Sequence, residues 1–274
     1  MFKTELLDLH KLNILTKYPS IYTRHSLDNK GQASNDIEVQ VKDEDVYYLT
    51  EKIDGTNSRI IIFPDNRYVI GSREEFLTAD NDLIRNNTLG ITTTVLPYAE
   101  HIKQYIKEHQ DILHDNIIVI YGETFGGHSH KNGIAYSGDR SRYAFRMFDI
   151  QRISIETLNS LLEKDETRIA TWREHNNQNW FTFDELELMG SLLKIPTVPF
   201  IAKLKGTDIP KEPEKMLDWI KNILPETKEK LDATAKGFAE GIICRTSDRK
   251  TILKIRNANY KKFASPVNTV SIEP

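Results

Sequence analysis

Two apolar runs separated by a polar turn constrain the fold of this chain more than any other stretch. The runs cover residues 46–49 and 60–63, and both consist mostly of the β-branched and aromatic residues that favour strands. Between them, Asp54-Gly55 supplies residues that sharp turns prefer. The sequence therefore predicts strand, sharp turn, strand, with Lys52 at the end of the first strand.

Lys52 is a candidate nucleophile because of this position. An ammonium group cannot attack an electrophile, so a nucleophilic Lys52 must lose its proton through desolvation or neighbouring cations. The alternative interpretation is a hairpin that carries an exposed lysine. The short pattern Lys-x-Asp-Gly does not decide between the two by itself.

Composition limits the class of protein. The chain has 274 residues, of which 39% are hydrophobic, enough to bury a core in one large or two modest domains. No apolar run is long enough to span a bilayer, and the N-terminus lacks a signal-peptide pattern. We therefore expect no membrane association and a cytoplasmic protein, in the host cytoplasm if a phage encodes it. The single cysteine, Cys244, excludes an intrachain disulfide.

The charge balance leaves nucleic-acid binding open. A net charge of -3 argues against indiscriminate binding to polyanions, but it does not exclude a local basic groove. Positive residues cluster late in the chain, between Arg245 and Lys262. Such a cluster is either a solvated face or a phosphate-binding surface.

The pattern of elements predicts an N-terminal segment, residues 1–45, packed on a larger domain, residues 46–274. The segment should contain a short helix and then a mobile loop over 25–36, which is rich in Asn, Gly and Ser. Further elements follow from apolar periodicity and capping residues. They are a helix over 96–113, strands over 117–121 and 143–150, a helix from Ser154 to Leu162, a strand over 197–204, a helix over 213–224 and a hairpin over 240–256.

Residues with phosphate chemistry recur at the predicted strand ends. In chain order they are Lys52, Arg73, Glu123, Phe148, Asp149, Glu240, Lys254 and Arg256. Nucleotidyl transfer needs such a set: a lysine that attacks the α-phosphate of ATP, cations on the phosphate oxygens, carboxylates for hydrated Mg²⁺ and an aromatic ring for the base.

The same residues resemble the motifs of the covalent nucleotidyltransferase superfamily of polynucleotide ligases and capping enzymes. The similar stretches are Lys52-Ile53-Asp54-Gly55 (motif I), Ser72-Arg73 (Ia), Tyr121-Gly122-Glu123 (III), Phe148-Asp149 (IIIa), Glu240-Gly241-Ile242-Ile243 (IV) and Lys254-Ile255-Arg256 (V). The stretch 51–57, Glu-Lys-Ile-Asp-Gly-Thr-Asn, resembles the RNA ligase 2 branch, which includes phage and RNA-editing ligases. The resemblance extends from about Val46 to Phe263.

This resemblance implies an α+β fold, the ATP-grasp-like nucleotidyltransferase fold of antiparallel sheets flanked by helices, without a C-terminal OB-fold. It implies ATP and Mg²⁺ as cofactors, with Mn²⁺ as a substitute. It also implies a role for each site residue. Lys52 would carry AMP, Glu51, Ile53 and Asn57 would contact the nucleoside, Arg73 and Glu123 the sugar and phosphate side, Phe148 the adenine, Lys254 and Arg256 the phosphates, and Glu240 with Glu123 the metal ion.

The implied activity is ATP-dependent joining of 5′-phosphate and 3′-hydroxyl ends through a covalent lysyl-AMP and an adenylylated 5′ end. Thr56-Asn57 and the expected absence of an OB-fold favour RNA over DNA as substrate. The alternatives are a DNA nick ligase, a GTP-using capping enzyme, and a non-catalytic module that binds nucleic-acid ends.

Two departures from the family pattern stand out. Motif V is usually Lys-x-Lys, whereas here the second cation is Arg256, a planar fork instead of a point charge. In addition, only about a dozen residues follow Phe263, which is too few for another domain. We therefore expect the grip on the substrate to come from the catalytic domain or from a separate protein.

Overall fold

The structure is a computed structural model that describes residues 4, 7–80, 82–85, 89–109, 113, 115–129, 131–175 and 178–263. The last part of the predicted domain, 264–274, lies outside these residues. The strands are β1 (His25–Leu27), β2 (Ala33–Ile37), β3 (Val46–Lys52), β4 (Thr56–Ile62), β5 (Tyr68–Ser72), β6 (Phe76–Ala79), β7 (Asp82–Leu83), β8 (Asn116–Gly126), β9 (Tyr143–Ser154), β10 (Asn179–Trp180), β11 (Phe200–Lys205), β12 (Gly241–Thr246) and β13 (Ile252–Arg256). The α-helices are α1 (Leu9–Leu15), α2 (Ile91–Glu108), α3 (Ile155–Leu162), α4 (Glu166–Glu174), α5 (Phe183–Leu192) and α6 (Pro213–Ile223).

Two antiparallel sheets form the body of the fold. One has seven strands in the order β10-β9-β8-β4-β5-β6-β7, and the other has four in the order β11-β3-β12-β13. A small third sheet pairs β1 with β2. The α+β class predicted from the sequence is therefore confirmed.

The predicted strand, turn, strand over 46–63 is also confirmed, but β3 and β4 do not form a hairpin. β3 pairs with β11 and β12, while β4 pairs with β5 and β8 in the other sheet. Both strands are almost entirely buried, so each needs hydrogen-bonding neighbours on both of its edges. Residues 53–55 consequently cross from one sheet to the other.

The helices cover the sheets where their apolar faces meet. α2 packs on one face of the seven-stranded sheet, α1, α3 and α4 pack on the opposite face, and α6 packs on the four-stranded sheet. α2 begins at Ile91, earlier than the sequence predicts, directly after Gly90 in the left-handed region at φ 73°. Ser154 caps α3 as predicted, and its hydroxyl accepts the Thr157 amide.

The predicted mobile loop over 25–36 is wrong, because β1 and β2 pair there and His25 is buried. His25 Nδ1 lies 2.9 Å from the Tyr260 hydroxyl and Nε2 lies 2.9 Å from the Lys211 carbonyl oxygen. These partners are distant in sequence, so local composition gave no sign of them. None of the described helices combines the length and the apolar character needed to cross a membrane.

The N-terminal segment also extends the four-stranded sheet. The Lys254 amide donates to the Tyr22 carbonyl oxygen at 2.9 Å, and Thr23 forms a parallel bridge with Lys254. This pairing lies along the outer edge of β13. It brings residues 18–21 next to the gap between the two large sheets.

Candidate active site

The crossover from β3 to β4 places Lys52 in the gap between the sheets. Lys52 is the last residue of β3, and it pairs with Gly241 at the start of β12. That register brings Glu240 beside it, and Lys52 Nζ donates to Glu240 Oε2 at 2.5 Å. The lysine side chain is 26% exposed, so it is partly buried but still accessible from the cleft.

Glu240 lies between two cations. Its second oxygen, Oε1, is 2.8 Å from Arg256 Nε, and its side chain is 12% exposed. Arg256 reaches it because β13 pairs with β12 and sets Arg256 opposite Gly241. One carboxylate thus holds both the predicted nucleophile and one of the predicted phosphate-binding cations.

Lys254 adds a cation that this carboxylate does not neutralise. It lies two residues before Arg256 on the same face of β13, while Leu253 and Ile255 on the other face are fully buried, as the period of two predicts. Burial lowers the pKa of Lys254, and the neighbouring charges of Lys52 and Arg256 lower it further. An anion bound beside Lys254 would therefore relieve the repulsion among these cations.

Glu123 is the second acid next to Lys52. It belongs to β8 opposite Asn57 of β4, and its Oε1 accepts the Gly55 amide at 3.1 Å. Burial raises the pKa of Glu123 to about 8, and repulsion from Glu240 adds to this, whereas Lys52 opposes it. The crossover fits against β8 only because residue 55 is glycine, since a Cβ there would collide with the Thr124 carbonyl oxygen.

A cleft of about 410 Å³ lies between the sheets at this point. Eight of the ten predicted site residues line it: Glu51, Lys52, Ile53, Asn57, Arg73, Glu123, Phe148 and Lys254. The other two, Glu240 and Arg256, line the adjoining groove and join the cleft through the contact of Glu240 with Lys52. The fold thus brings the whole predicted set together from distant parts of the chain.

Glu51 differs from the others because its carboxylate is already engaged. The side chain is buried, and its oxygens accept hydrogen bonds from the Thr227 hydroxyl and from the Lys228 amide, the latter at 2.8 Å. Burial raises the pKa of Glu51. Glu51 therefore anchors the segment at 227–228 next to the crossover.

Asn57 and Phe148 offer complementary surfaces to a ligand. Asn57 Oδ1 is buried and has no hydrogen-bond partner among the described residues. The half-buried Phe148 ring contacts Tyr18 edge-on, with the ring centroids 5.0 Å apart. The cleft thus combines a free acceptor with a supported aromatic ring, which are the two features that recognise a base.

Asp149, predicted together with Phe148, lies in a buried ion cluster. It accepts hydrogen bonds from Arg245 at 2.9 Å, from Arg249, and from the Tyr18 hydroxyl at 2.8 Å. Arg245 and Arg249 are 3% and 7% exposed, so they do not belong to a solvated basic face. Because Asp149 is on β9 and the arginines are on β12 and its following turn, the cluster joins the two sheets beside the cleft.

The sequence did not identify the residues that the N-terminal segment contributes. Tyr18, Pro19, Ser20 and Ile21 line the cleft, as do Phe183 and Leu186 of α5. They reach it through tertiary pairing with β13 and through packing of α5 on β9. No local pattern marks them.

The two acids near Lys52 fit a magnesium ion whose remaining ligands come from substrate phosphates and water. No three His, Cys, Asp or Glu side chains of the described chain cluster as a metal site. The charge of Glu240 adds to the raised pKa of Glu123, so the two carboxyl groups are near enough to interact. Mg²⁺ is commonly bound by one or two carboxylates, with waters and phosphate oxygens as the remaining ligands.

Comparison with known proteins agrees with this geometry. Residues 45–256 match the family described as RNA ligase. No curated protein matches the chain. Among solved structures, a lysine-to-alanine mutant of the Naegleria gruberi RNA ligase with ATP and Mn superposes with a TM-score of 0.50 at 16% identity, covering 89% of this chain and 63% of that one.

A second structure of that ligase, a glutamate-to-alanine mutant with AMP and Mn, gives a TM-score of 0.51 at 15% identity and covers 89% of this chain. At such identities the likeness shows the fold, and this chain spans 63% of the length of the Naegleria protein. The family match, in contrast, extends over most of the chain and includes every predicted site residue. This chain therefore belongs to the RNA ligase family.

Proposed function

We propose that this protein is an ATP-dependent RNA ligase that joins 5′-phosphate and 3′-hydroxyl ends through a covalent lysyl-AMP intermediate. The observation that carries the proposal is the position of Lys52, which ends a buried strand inside a cleft where Glu240 holds its amine and Lys254 adds a second cation. The names of the Naegleria structures, with ATP or AMP and Mn, agree with it.

In the first step, Lys52 Nζ attacks the α-phosphorus of ATP. A nitrogen–phosphorus bond forms, the bond from the α-phosphorus to its bridging oxygen breaks, and pyrophosphate leaves. Glu240 Oε2, 2.5 Å from the amine, is placed to accept the proton that the amine gives up. Lys254 and Arg256 stabilise the charge that develops on the phosphate oxygens.

Glu123 and Glu240 would hold the metal ion, which neutralises phosphate charge when it is bound. Binding would ionise Glu123, whose pKa is raised to about 8 in the protein alone. Phe148 would stack on the adenine, and Asn57 Oδ1 would accept a hydrogen bond from the nucleoside. These assignments complete the AMP pocket of the proposal.

In the next two steps, AMP activates the end to be joined. An oxygen of the 5′-phosphate attacks the lysyl-AMP phosphorus, the phosphorus–nitrogen bond breaks, and the Lys52 nitrogen leaves with the proton that Glu240 returns to it. The 3′-hydroxyl oxygen then attacks the activated 5′-phosphorus, the bond from that phosphorus to the AMP oxygen breaks, AMP leaves, and the hydroxyl proton passes to solvent. Glu240 regains its contact with the Lys52 amine at the end of the cycle.

The proposal is tested by label transfer from ATP that carries the label on its α-phosphate. With Mg²⁺, the label on wild-type protein should survive precipitation in cold acid and be released by heating in acid, since a phosphoramidate forms. ATP labelled on the γ-phosphate should leave no label on the protein. Lys52→Ala and Lys52→Arg should abolish the label, whereas the exposed Lys107→Ala on α2 should not. Wild-type protein that stays unlabelled would overturn the proposal.

Nicked duplexes then define the substrate. RNA at the 3′-hydroxyl side should be sealed in preference to DNA, and sealing of all-DNA nicks alone would instead support the alternative of a DNA nick ligase. Label from GTP in place of ATP would support a capping enzyme. Tight binding of ends without any label would support a non-catalytic module.

The proposal also includes the surroundings that the sequence predicts: a cytoplasmic location and a separate protein that adds to the substrate contacts. In this proposal, residues 1–45 form a segment packed on a catalytic domain that covers residues 46–274. Cell fractionation tests the location. Removal of residues 1–45, which contribute Tyr18 and Ile21 to the cleft, should weaken ATP binding if the segment completes the pocket.

A further inference from the structure

A second and larger groove, of about 1330 Å³, opens beside the nucleotide cleft. Asp54 lines both, and Glu240 and Arg256 form the end of the groove that lies next to Lys52. The rest of its wall comes from residues 132–138, α6, the segment 234–239 and the turn at 257–261. Among the residues that line the groove, only Asp54, Glu240 and Arg256 belong to the sequence motifs.

Four cations and two acids line the groove. Lys221, Lys236 and Lys261 line it and are exposed. Within the described residues, none of the three forms an ion pair. The acids of the wall, Asp54 and Glu240, are both at the end near Lys52, and Glu240 is already held by two cations. The lysines are therefore available to an anion that enters from the far end.

An aromatic ring stands out of the same wall. Phe238 is 86% exposed, the most exposed large hydrophobic side chain of the described residues. Its backbone is nevertheless fixed on both sides: the Gly237 amide donates to the Ala135 carbonyl oxygen at 3.1 Å, and Ala239 is 3% exposed. A ring exposed to solvent on an anchored backbone contributes little to the stability of the fold, but it provides a flat surface for stacking.

We propose that this groove binds the polynucleotide strand whose end is carried to Lys52, with a base stacked on Phe238 and phosphates on Lys221, Lys236 and Lys261. The combination of unpaired cations and an exposed aromatic ring matches a single strand, since its phosphates are anionic and its bases have free faces. Continuity with the cleft at Glu240 and Arg256 gives the strand a path to the nucleophile. The inference rests on the ligase function proposed above and adds where its substrate lies.

The test measures binding of a short single-stranded RNA with a 5′-phosphate and a 3′ fluorophore, by anisotropy and without ATP. Phe238→Ala should weaken binding about 5- to 150-fold, the range for loss of one stacked base. Phe238→Trp should restore binding, because it keeps an aromatic face. Leu83→Ala, which also removes an exposed apolar side chain but on β7, should bind RNA as the wild type does.

The lysines are tested by salt dependence. For single strands the slope of log affinity against log salt is about -0.7 per phosphate contact, so replacing all three lysines by alanine should reduce its magnitude by about 2. Lys107→Ala on α2 is the matched control for a single exposed lysine. Thermal unfolding of each variant should remain that of the wild type, since all these side chains are exposed.

Label transfer from ATP, measured on the same samples, separates this inference from the proposed function. If wild-type protein is labelled but Phe238→Ala binds RNA as tightly as wild type, or the lysine variant keeps the wild-type salt slope, the groove assignment is overturned and the ligase proposal stands. Loss of self-association in Phe238→Ala, with RNA affinity unchanged, would also overturn it and would make the groove a protein interface.

Discussion

The two ends of the β12–β13 hairpin carry the same kind of charge in opposite surroundings. At the turn end, Arg245 and Arg249 are buried against Asp149, and Arg249 also lies over the Trp180 ring at 3.7 Å. At the open end, Lys254 and Arg256 face the cleft beside Lys52, with Glu240 as their nearest acid. The hairpin thus has one end whose cations are hydrogen-bonded to a buried acid and one end whose cations line the cleft and the adjoining groove.

The difference separates cations that are bonded to a buried acid from cations that line the cleft and the groove. Burial of a charge is tolerated when hydrogen-bonded opposite charge surrounds it, and the Asp149 cluster meets that condition. Lys254 does not meet it, since burial and neighbouring cations lower its pKa. An anion that binds beside such a cation is stabilised by it, and phosphate groups are anions of this kind.

The largest effect is expected from removing the buried acid at the turn end of the hairpin. Asp149→Ala should lower the free energy of unfolding by about 3–5 kcal/mol, because it leaves two buried arginines without their acid. Urea denaturation measures this. The control is Asp43→Ala, which removes an exposed pair with Lys211 and should cost no more than about 1 kcal/mol. Equal losses in the two variants would contradict the assignment.

The open end should respond in the opposite way. Lys254→Met should reduce label transfer from ATP about 100-fold, since a cation at the phosphates is lost. The free energy of unfolding should change by less than about 1 kcal/mol, because the substitution also removes repulsion from Lys52 and Arg256. Lys250→Met, at the exposed turn of the same hairpin, should change neither quantity. A Lys254→Met protein that loses stability but keeps label transfer would show that Lys254 stabilises the fold and does not act on the phosphates.

The smallest effect concerns pH and Glu123, the acid next to the open end. Its pKa is raised to about 8, so the folded protein keeps a proton that the unfolded chain loses above the ordinary pKa of glutamic acid. This contribution to stability is complete at low pH and is lost as the pH rises through about 8. Its slope is at most about 1.4 kcal/mol per pH unit, and partial exposure reduces it.

Urea denaturation at a series of pH values tests this expectation. Glu123→Gln should lose less stability than the wild type between about pH 5 and about pH 8, since the amide has no proton to release. Saturating Mg²⁺ should flatten the wild-type curve in the same way if the ion binds the carboxylate. Parallel curves for wild type and Glu123→Gln would show that the Glu123 proton does not contribute.

The sequence alone predicted a set of residues that the fold brings together in and beside one cleft. A lysine at the end of a buried strand and two cations on one strand face are local patterns that the structure keeps. The acids lie elsewhere than the sequence predicts, since Glu123 is inside β8 and Glu240 directly precedes β12. The same reasoning could not separate Arg245 and Arg249 from Lys254 and Arg256. Whether a cation is neutralised depends on Asp149, which is about a hundred residues away in the chain.

What the sequence determined by itself, therefore, is the α+β class, the family and the position of Lys52 at the end of a buried strand. The tertiary structure decided that β3 and β4 enter different sheets, that residues 18–21 close the cleft, and that Phe238 stands over a basic groove. The physical reason is that local patterns fix which side of a strand is apolar. Which distant group satisfies a buried charge or hydrogen bond is set only when the sheets pack together.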